Sequence, residues 1–106
     1  MTKPFTAILS SISSQIKAKH SDFAGIYFFG SRAKGTATEE SDYDTAFIFD
    51  GTVDRKLKNE IISLVYDYEV ENDIIIDVLV YSKQDIENPA TPFRDNVKNE
   101  GIFYGV

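Results

Sequence analysis

Two aspartates separated by one residue, Asp42 and Asp44, are the side chains in this sequence best spaced for chemistry. They lead into an apolar run at 46–49 that is typical of a strand, and residues i and i+2 of a strand point the same way, about 6–7 Å apart. Two carboxylates in this relation do not pair with each other, but they can share one or two divalent cations. The spacing therefore indicates metal-dependent chemistry on phosphate.

A glycine–serine pair, Gly30 and Ser31, ends the preceding apolar run at 26–29, and ten residues separate Ser31 from Asp42. Glycine adopts backbone angles closed to other residues and lets a phosphate approach. Ser31 offers a hydroxyl, and the amides that open a following helical turn form an anion site. Alone, such a pair is a weak indication of a phosphate site, but together with the two acids it becomes a strong one.

A third acid, Asp77, interrupts the apolar run 74–80. It either faces solvent or, because Ile75 and Leu79 share its face, lies in a mostly apolar patch with a cation nearby. If this strand pairs beside the strand of Asp44, the backbones lie about 4.8 Å apart and the three carboxylates cluster. Each pair would then repel by roughly 3 kcal/mol at an effective dielectric of about 20. Bound cations or raised pKa values would reduce this repulsion. Three acids that hold two metal ions are the arrangement suited to in-line nucleotidyl transfer.

The elements that must position these residues are read from apolar periodicity. It predicts amphipathic helices over 5–19 and 53–68, with Thr2 as the first helix's cap, and strands over 23–29, 43–49 and 74–81. Short helices are expected over 83–87 and 93–99, followed by an apolar tail, 102–104. The order α-β-β-α-β-α predicts an α/β (α+β) fold, a small mixed sheet with helices packed on it.

Composition narrows the class of protein. The 106 residues suit a single domain spanning 1–106, and the absence of cysteine excludes disulfides and thiolate metal sites. A net charge of −6 argues against direct, sequence-independent nucleic-acid binding. Apolar runs are too short to span a bilayer, and the start does not resemble a secretory signal, so a cytoplasmic protein without membrane contact is expected.

The pair Gly30-Ser31, the ten-residue spacer, Asp42-Tyr43-Asp44 and Asp77 together resemble the polymerase-β-type nucleotidyltransferase superfamily. Size and the C-terminal stretch resemble its minimal branch, encoded beside HEPN-domain partners in prokaryotic toxin–antitoxin pairs. The resemblance implies that Asp42, Asp44 and Asp77 bind two Mg²⁺ ions, and that Asp77 also accepts the attacking hydroxyl's proton. It implies that Gly30 and Ser31 hold the β- and γ-phosphates of ATP.

In that branch the resemblance implies transfer of AMP to a tyrosine of the HEPN-domain toxin, which silences the toxin. One alternative is a non-catalytic antitoxin that neutralises its partner by contact. A small-molecule adenylyltransferase is disfavoured, because we expect no second domain to hold the acceptor. Other polar and aromatic residues are interpreted as structural: His20, Asp50 and Asp73 as caps, turns or surface, and Tyr66, Tyr68, Tyr81 and Tyr104 as packing.

Overall fold

The computed structural model describes residues 4–30, 32, 42–87 and 101–105. Its elements are, in chain order, α1 (Phe5–Lys19), β1 (Phe23–Phe29), β2 (Tyr43–Phe49), α2 (Arg55–Asn72), β3 (Ile76–Ser82), α3 (Lys83–Glu87) and β4 (Ile102–Gly105). Within the described ranges, no helix has both the length and the apolar character needed to cross a membrane. The predicted helix 93–99 lies outside the described residues.

The four strands form one mixed sheet in the order β3-β2-β1-β4. Strand β1 runs antiparallel to β2 and to β4, whereas β2 and β3 run parallel. The parallel pair is possible because α2 crosses over between β2 and β3 and carries the chain back to the starting end. The predicted α/β class and mixed sheet are confirmed, and β3 lies beside β2 as the clustering of the acids required.

The first helix buries one apolar stripe, formed by Ile8, Leu9, Ile12 and Ile16. The predicted bounds are confirmed, but the helix is capped by Pro4, without a side-chain hydrogen bond, and Thr2 lies outside the described residues. Proline suits a helix start because it has no backbone N–H to leave unsatisfied. His20 ends the helix and pairs with Glu60 of α2, and its hydrogen bond lowers the pKa of the Glu60 carboxyl.

The second helix begins two residues later than predicted and runs four residues further. Asp54 caps it, since its carboxylate accepts a hydrogen bond of 2.8 Å from the Leu57 amide. Asp73 ends it in the left-handed conformation, with φ of 53°. The interpretation of Asp73 as a cap is thus confirmed. Ile61 and Val65 are fully buried, which fixes the face that α2 presents to the sheet.

The two faces of the sheet are covered unequally. Alternate residues of β2 and β3, such as Phe47 and Val80, pack into the main core with α1 and α2. The residues between them, such as Ala46 and Ile48, belong to a smaller cluster that contains Ile86 of α3. Because α3 has only five residues, one face of the sheet is far less covered by helices in the part of the chain described.

The apolar tail, predicted only to close the chain, forms strand β4 at the edge of the sheet. Gly25 of β1 opposes Gly105 of β4, and its φ is 149°. A Cβ on Gly25 would lie 2.5 Å from the Tyr104 carbonyl oxygen. The missing side chain therefore lets β4 approach, and the residues predicted only as an apolar tail, 102–104, are part of the sheet.

Candidate active site

Asp44 and Asp77 are register partners in the parallel pair β2–β3. Their immediate neighbours along the strands, Thr45 and Val78, are also partners, and Val78 packs against the main core. Since side chains alternate between the faces of a strand, both carboxylates lie on the opposite, less covered face. The structure therefore brings Asp44 and Asp77 together on one face, as their roles in a shared site require.

Asp42 lies directly before β2 and is exposed to solvent. Burial, and then the negative charges of Asp77 and Asp42, raise the pKa of the Asp44 carboxyl above its ordinary value of 3.8. Asp44 is the half-buried member of the three, so it carries the largest desolvation cost. The direction of this shift agrees with the raised pKa predicted for a cluster of acids, although burial is its first cause and the charges of Asp77 and Asp42 come after it.

Gly30 follows β1, and the last residue of that strand, Phe29, is the register partner of Asp44. The φ of Gly30 is 79°, in the left-handed region that favours glycine. A Cβ at this position would overlap the Asp44 carboxylate, with Oδ2 as the nearest atom. Gly30 thus leaves the space that Asp44 occupies. Ser31 lies outside the described residues.

Sequence reasoning missed Thr45, the buried residue next to Asp44. Its hydroxyl donates a hydrogen bond of 2.9 Å to the carbonyl oxygen of Asp77, and its side chain is fully buried. This bond crosses from β2 to β3 at the level of the two acids. It therefore helps to hold the strand of Asp77 against the strand of Asp44. The sequence offered one signal for this role, a threonine between an aspartate and the apolar run 46–49 of the same strand.

Thr45→Val is expected to lower the free energy of unfolding by about 1 kcal/mol, because it removes one buried hydrogen bond and leaves the shape of the side chain nearly unchanged. For a domain of this size the melting temperature should fall by roughly 4–8 °C. Differential scanning calorimetry measures the shift, with Thr52→Val at an exposed loop position as the control. Equal melting temperatures for the two variants would contradict the role given to Thr45.

Tyr43, between the two aspartates in sequence, points to the other face of the sheet and packs against the main core. Its ring stacks on Phe5 of α1, with centroids 4.0 Å apart and planes 20° apart. The Arg32 guanidinium lies over the same ring, 4.5 Å from the centroid. The residue two positions after Gly30 is therefore anchored to the strand that carries Asp44.

The apolar patch expected around Asp77 is not observed. Asp77 is exposed, and Ile75, which precedes β3, is 62% exposed. The reason is topological: β3 is the outermost strand of the described sheet, and Asp77 is its second residue, whereas α3 follows the other end of the strand. Of the two interpretations, the solvent-facing one is correct, although the face also carries Asp44.

The donor chemistry of the site fits a hard divalent cation. Aspartate oxygens are the ligands that Mg²⁺ prefers, and a cation would offset the burial and the repulsion by Asp77 and Asp42 that raise the pKa of Asp44. Within the described ranges, no three His, Cys, Asp or Glu side chains are grouped to hold a metal ion by themselves. Mg²⁺ is usually held by one or two carboxylates together with substrate phosphates and water. The pair Asp44–Asp77 meets that requirement, and convergence of all three acids stays a prediction.

Comparison with known families agrees with this geometry. Residues 9–104 match the family model described as a nucleotidyltransferase domain, a range that includes Gly30 and all three aspartates. The chain belongs to the nucleotidyltransferase domain family. The resemblance noted from the Gly-Ser and Asp-Tyr-Asp motif is thereby confirmed, and the expectation that the protein is a nucleotidyltransferase is confirmed with it.

Among members of the nucleotidyltransferase family, the chain is 34% identical over 77 residues to "Putative protein adenylyltransferase MJ0141" of Methanocaldococcus jannaschii, covering 73% of this chain and 74% of that protein. Its fold matches a toxin–antitoxin crystallised with AMP-PNP, at a TM-score of 0.65 and 22% identity, over 92% of this chain and 73% of the other. A nucleotidyltransferase from Sulfolobus solfataricus gives a TM-score of 0.60 at 18% identity, over 92% and 77%. These structures establish the shared fold.

Proposed function

We propose that the chain, as a single catalytic domain over 1–106, transfers AMP from ATP to a hydroxyl, that of a tyrosine, on a HEPN-domain toxin and acts as its antitoxin. The observation that carries this is the register pairing of Asp44 with Asp77 on one face of the sheet, beside Gly30. The name of the archaeal relative, a protein adenylyltransferase, supports a protein as acceptor. The toxin–antitoxin structures of the same fold support a toxin as that protein.

In the proposed reaction the acceptor hydroxyl oxygen attacks the α-phosphorus of ATP, the bond from that phosphorus to the bridging oxygen of the β-phosphate breaks, and pyrophosphate leaves. Asp77 accepts the hydroxyl proton. Gly30 and Ser31 receive the β- and γ-phosphates, with the Ser31 hydroxyl and the backbone amides of this turn as donors. Asp42, Asp44 and Asp77 would hold two Mg²⁺ ions, which when bound supply charge stabilisation to the attacking and leaving oxygens.

The exposure of Asp77 suits this role. A carboxylate that takes a proton from another protein's hydroxyl must be reachable by that protein, and the open face gives access. Asp44 is more enclosed, and its carboxylate lies beside Gly30. We therefore assign Asp44 to the cation that accompanies the triphosphate, and Asp77 to the acceptor hydroxyl.

The test is transfer of labelled AMP from ATP, with magnesium, to a co-purified or genetically adjacent HEPN-domain protein. Wild-type protein should label the partner, and Asp42→Asn, Asp44→Asn and Asp77→Asn should each lower the rate by on the order of 10²–10³. Asp50→Asn, the same change at the far end of β2, serves as the control.

A mass spectrum of the partner identifies the acceptor, which should be a tyrosine carrying AMP. Labelling that persists in all three site variants would contradict the roles of the aspartates. Neutralisation of the partner without any AMP attached, and equally by Asp44→Asn, would instead establish the alternative of a binding module acting by contact.

A further inference from the structure

Three apolar side chains follow one another along the outer face of α2. Ile62, Tyr66 and Val70 are 48%, 54% and 67% exposed. They are spaced four residues apart, so they form one continuous strip, called here the α2 stripe. The adjoining face of the helix is already buried through Ile61 and Val65. Grouped exposed apolar residues of this kind mark an interaction surface.

The two ends of the α2 stripe carry opposite charges. At 3.6 residues per turn, Arg55 and Lys58 at the N-terminal end lie within about 40° of Ile62 around the helix axis. At the C-terminal end the exposed cap Asp73 follows Val70 by three residues, whereas the Glu69 carboxylate accepts a hydrogen bond from the Ile76 amide. The first turn of α2 contains no acid and its last turn no base. Apart from the Asp54 cap, this is the reverse of what the helix dipole favours.

We propose that the α2 stripe is a two-fold contact between two copies of this chain, with the α2 helices antiparallel. Around such an axis Ile62 of one copy meets Val70 of the other, and Tyr66 lies near the axis. The basic end of each helix then meets the acidic end of the other, whereas a parallel pair would oppose like charges. A two-fold axis requires a surface complementary to itself, and the α2 stripe has this property in both its apolar centre and its charged ends.

The contact leaves both candidate active sites open, because α2 packs on the face of the sheet opposite to Asp44 and Asp77. Its size is modest, since a helix of 18 residues is about 27 Å long. One helix pair offers less than the roughly 800 Å² per partner of a standard interface. The association should therefore be reversible and depend on protein concentration.

Analytical ultracentrifugation of the ligand-free full chain tests the apolar centre. The wild-type protein should pass from monomer to dimer as concentration rises from about 1 μM to about 1 mM, the range of weak complexes. Ile62→Ser should weaken the dimer at least about tenfold, an effect expected for a residue at an interface centre. Ile102→Ser, which alters an isoleucine of similar exposure (44%) on β4, should leave it unchanged.

The charged ends are tested by Arg55→Glu with Lys58→Glu. This pair should abolish the dimer while the melting temperature of the monomer stays level or rises, because acids in the first turn suit the helix dipole. Lys56→Glu with Lys83→Glu has the same net charge, but Lys56 lies about 120° from Ile62 around the helix and Lys83 lies on α3, so it should keep the dimer. A wild-type protein that stays monomeric throughout, or equal losses in the two double variants, would overturn the proposal.

Discussion

Asp44→Asn is expected to stabilise the ligand-free protein and to abolish nucleotidyl transfer. The substitution keeps the shape of the side chain but removes a half-buried charge that is repelled by Asp77 and Asp42. Discounted for solvent screening, the gain is about 0.5 kcal/mol, which corresponds to a rise in melting temperature of roughly 2–4 °C. Transfer should fall by on the order of 10³, because the variant loses charge where it must hold a cation.

The effect on stability depends on pH with a definite sign. The folded pKa of Asp44 is raised, so the folded state binds more protons than the unfolded one above the ordinary value of 3.8. The contribution of Asp44 to the stability of the wild-type protein therefore decreases as pH rises through this window. The advantage of Asp44→Asn should be absent below pH 3.8, where the carboxyl is protonated in both states, and should reach its full size at neutral pH.

Thermal melts from acid to neutral pH, with and without magnesium and ATP, check this prediction. Ligand bound to the folded state should raise the melting temperature of the wild-type protein but not of Asp44→Asn. Asp50→Asn, at an exposed position, should behave as the wild type. Should Asp44→Asn melt lower than the wild type at neutral pH, the electrostatic conflict assigned to these carboxylates is wrong.

Gly30→Ala is expected to reduce both stability and transfer. Alanine at a φ of 79° is strained, and its Cβ would overlap the Asp44 carboxylate. The backbone strain alone costs on the order of 1–3 kcal/mol. Relief of the overlap must displace Asp44, and a displacement of about 1 Å at a reacting centre lowers rates about 10²-fold.

Calorimetry and the AMP-transfer assay measure the two effects. Gly105→Ala is the matched control, because its Cβ would meet only the Phe103 ring at an ordinary 3.4 Å. The double change Gly30→Ala with Asp44→Ala removes the overlapping carboxylate, so part of the stability should return without any transfer. Full transfer by Gly30→Ala would show that the space beside Asp44 is not needed.

Local sequence patterns were sufficient to predict the elements that bury a regular set of apolar side chains. The apolar spacing of Ile8, Ile12 and Ile16 predicted α1 with its observed bounds, because one face of a helix repeats every 3.6 residues. The apolar run 46–49, closed by the turn residues Asp50 and Gly51, likewise predicted β2 with its observed bounds. Strand β4 was missed, because four residues gain their stability from pairing with β1 and not from their own sequence.

The sequence alone determined which chemical groups are available: the carboxylates of Asp42, Asp44 and Asp77 and the glycine that opens the turn. It also determined that Asp42 and Asp44 stand at the start of one strand, Asp42 directly before it and Asp44 within it, because alternation is a local property of extended chain. Only the tertiary structure decided that Asp77 stands beside Asp44, because register between strands far apart in sequence depends on how the α2 crossover packs. The same packing left Asp77 exposed, buried Thr45 beside it and set the φ of Gly30 against Asp44, and no local pattern contains that information.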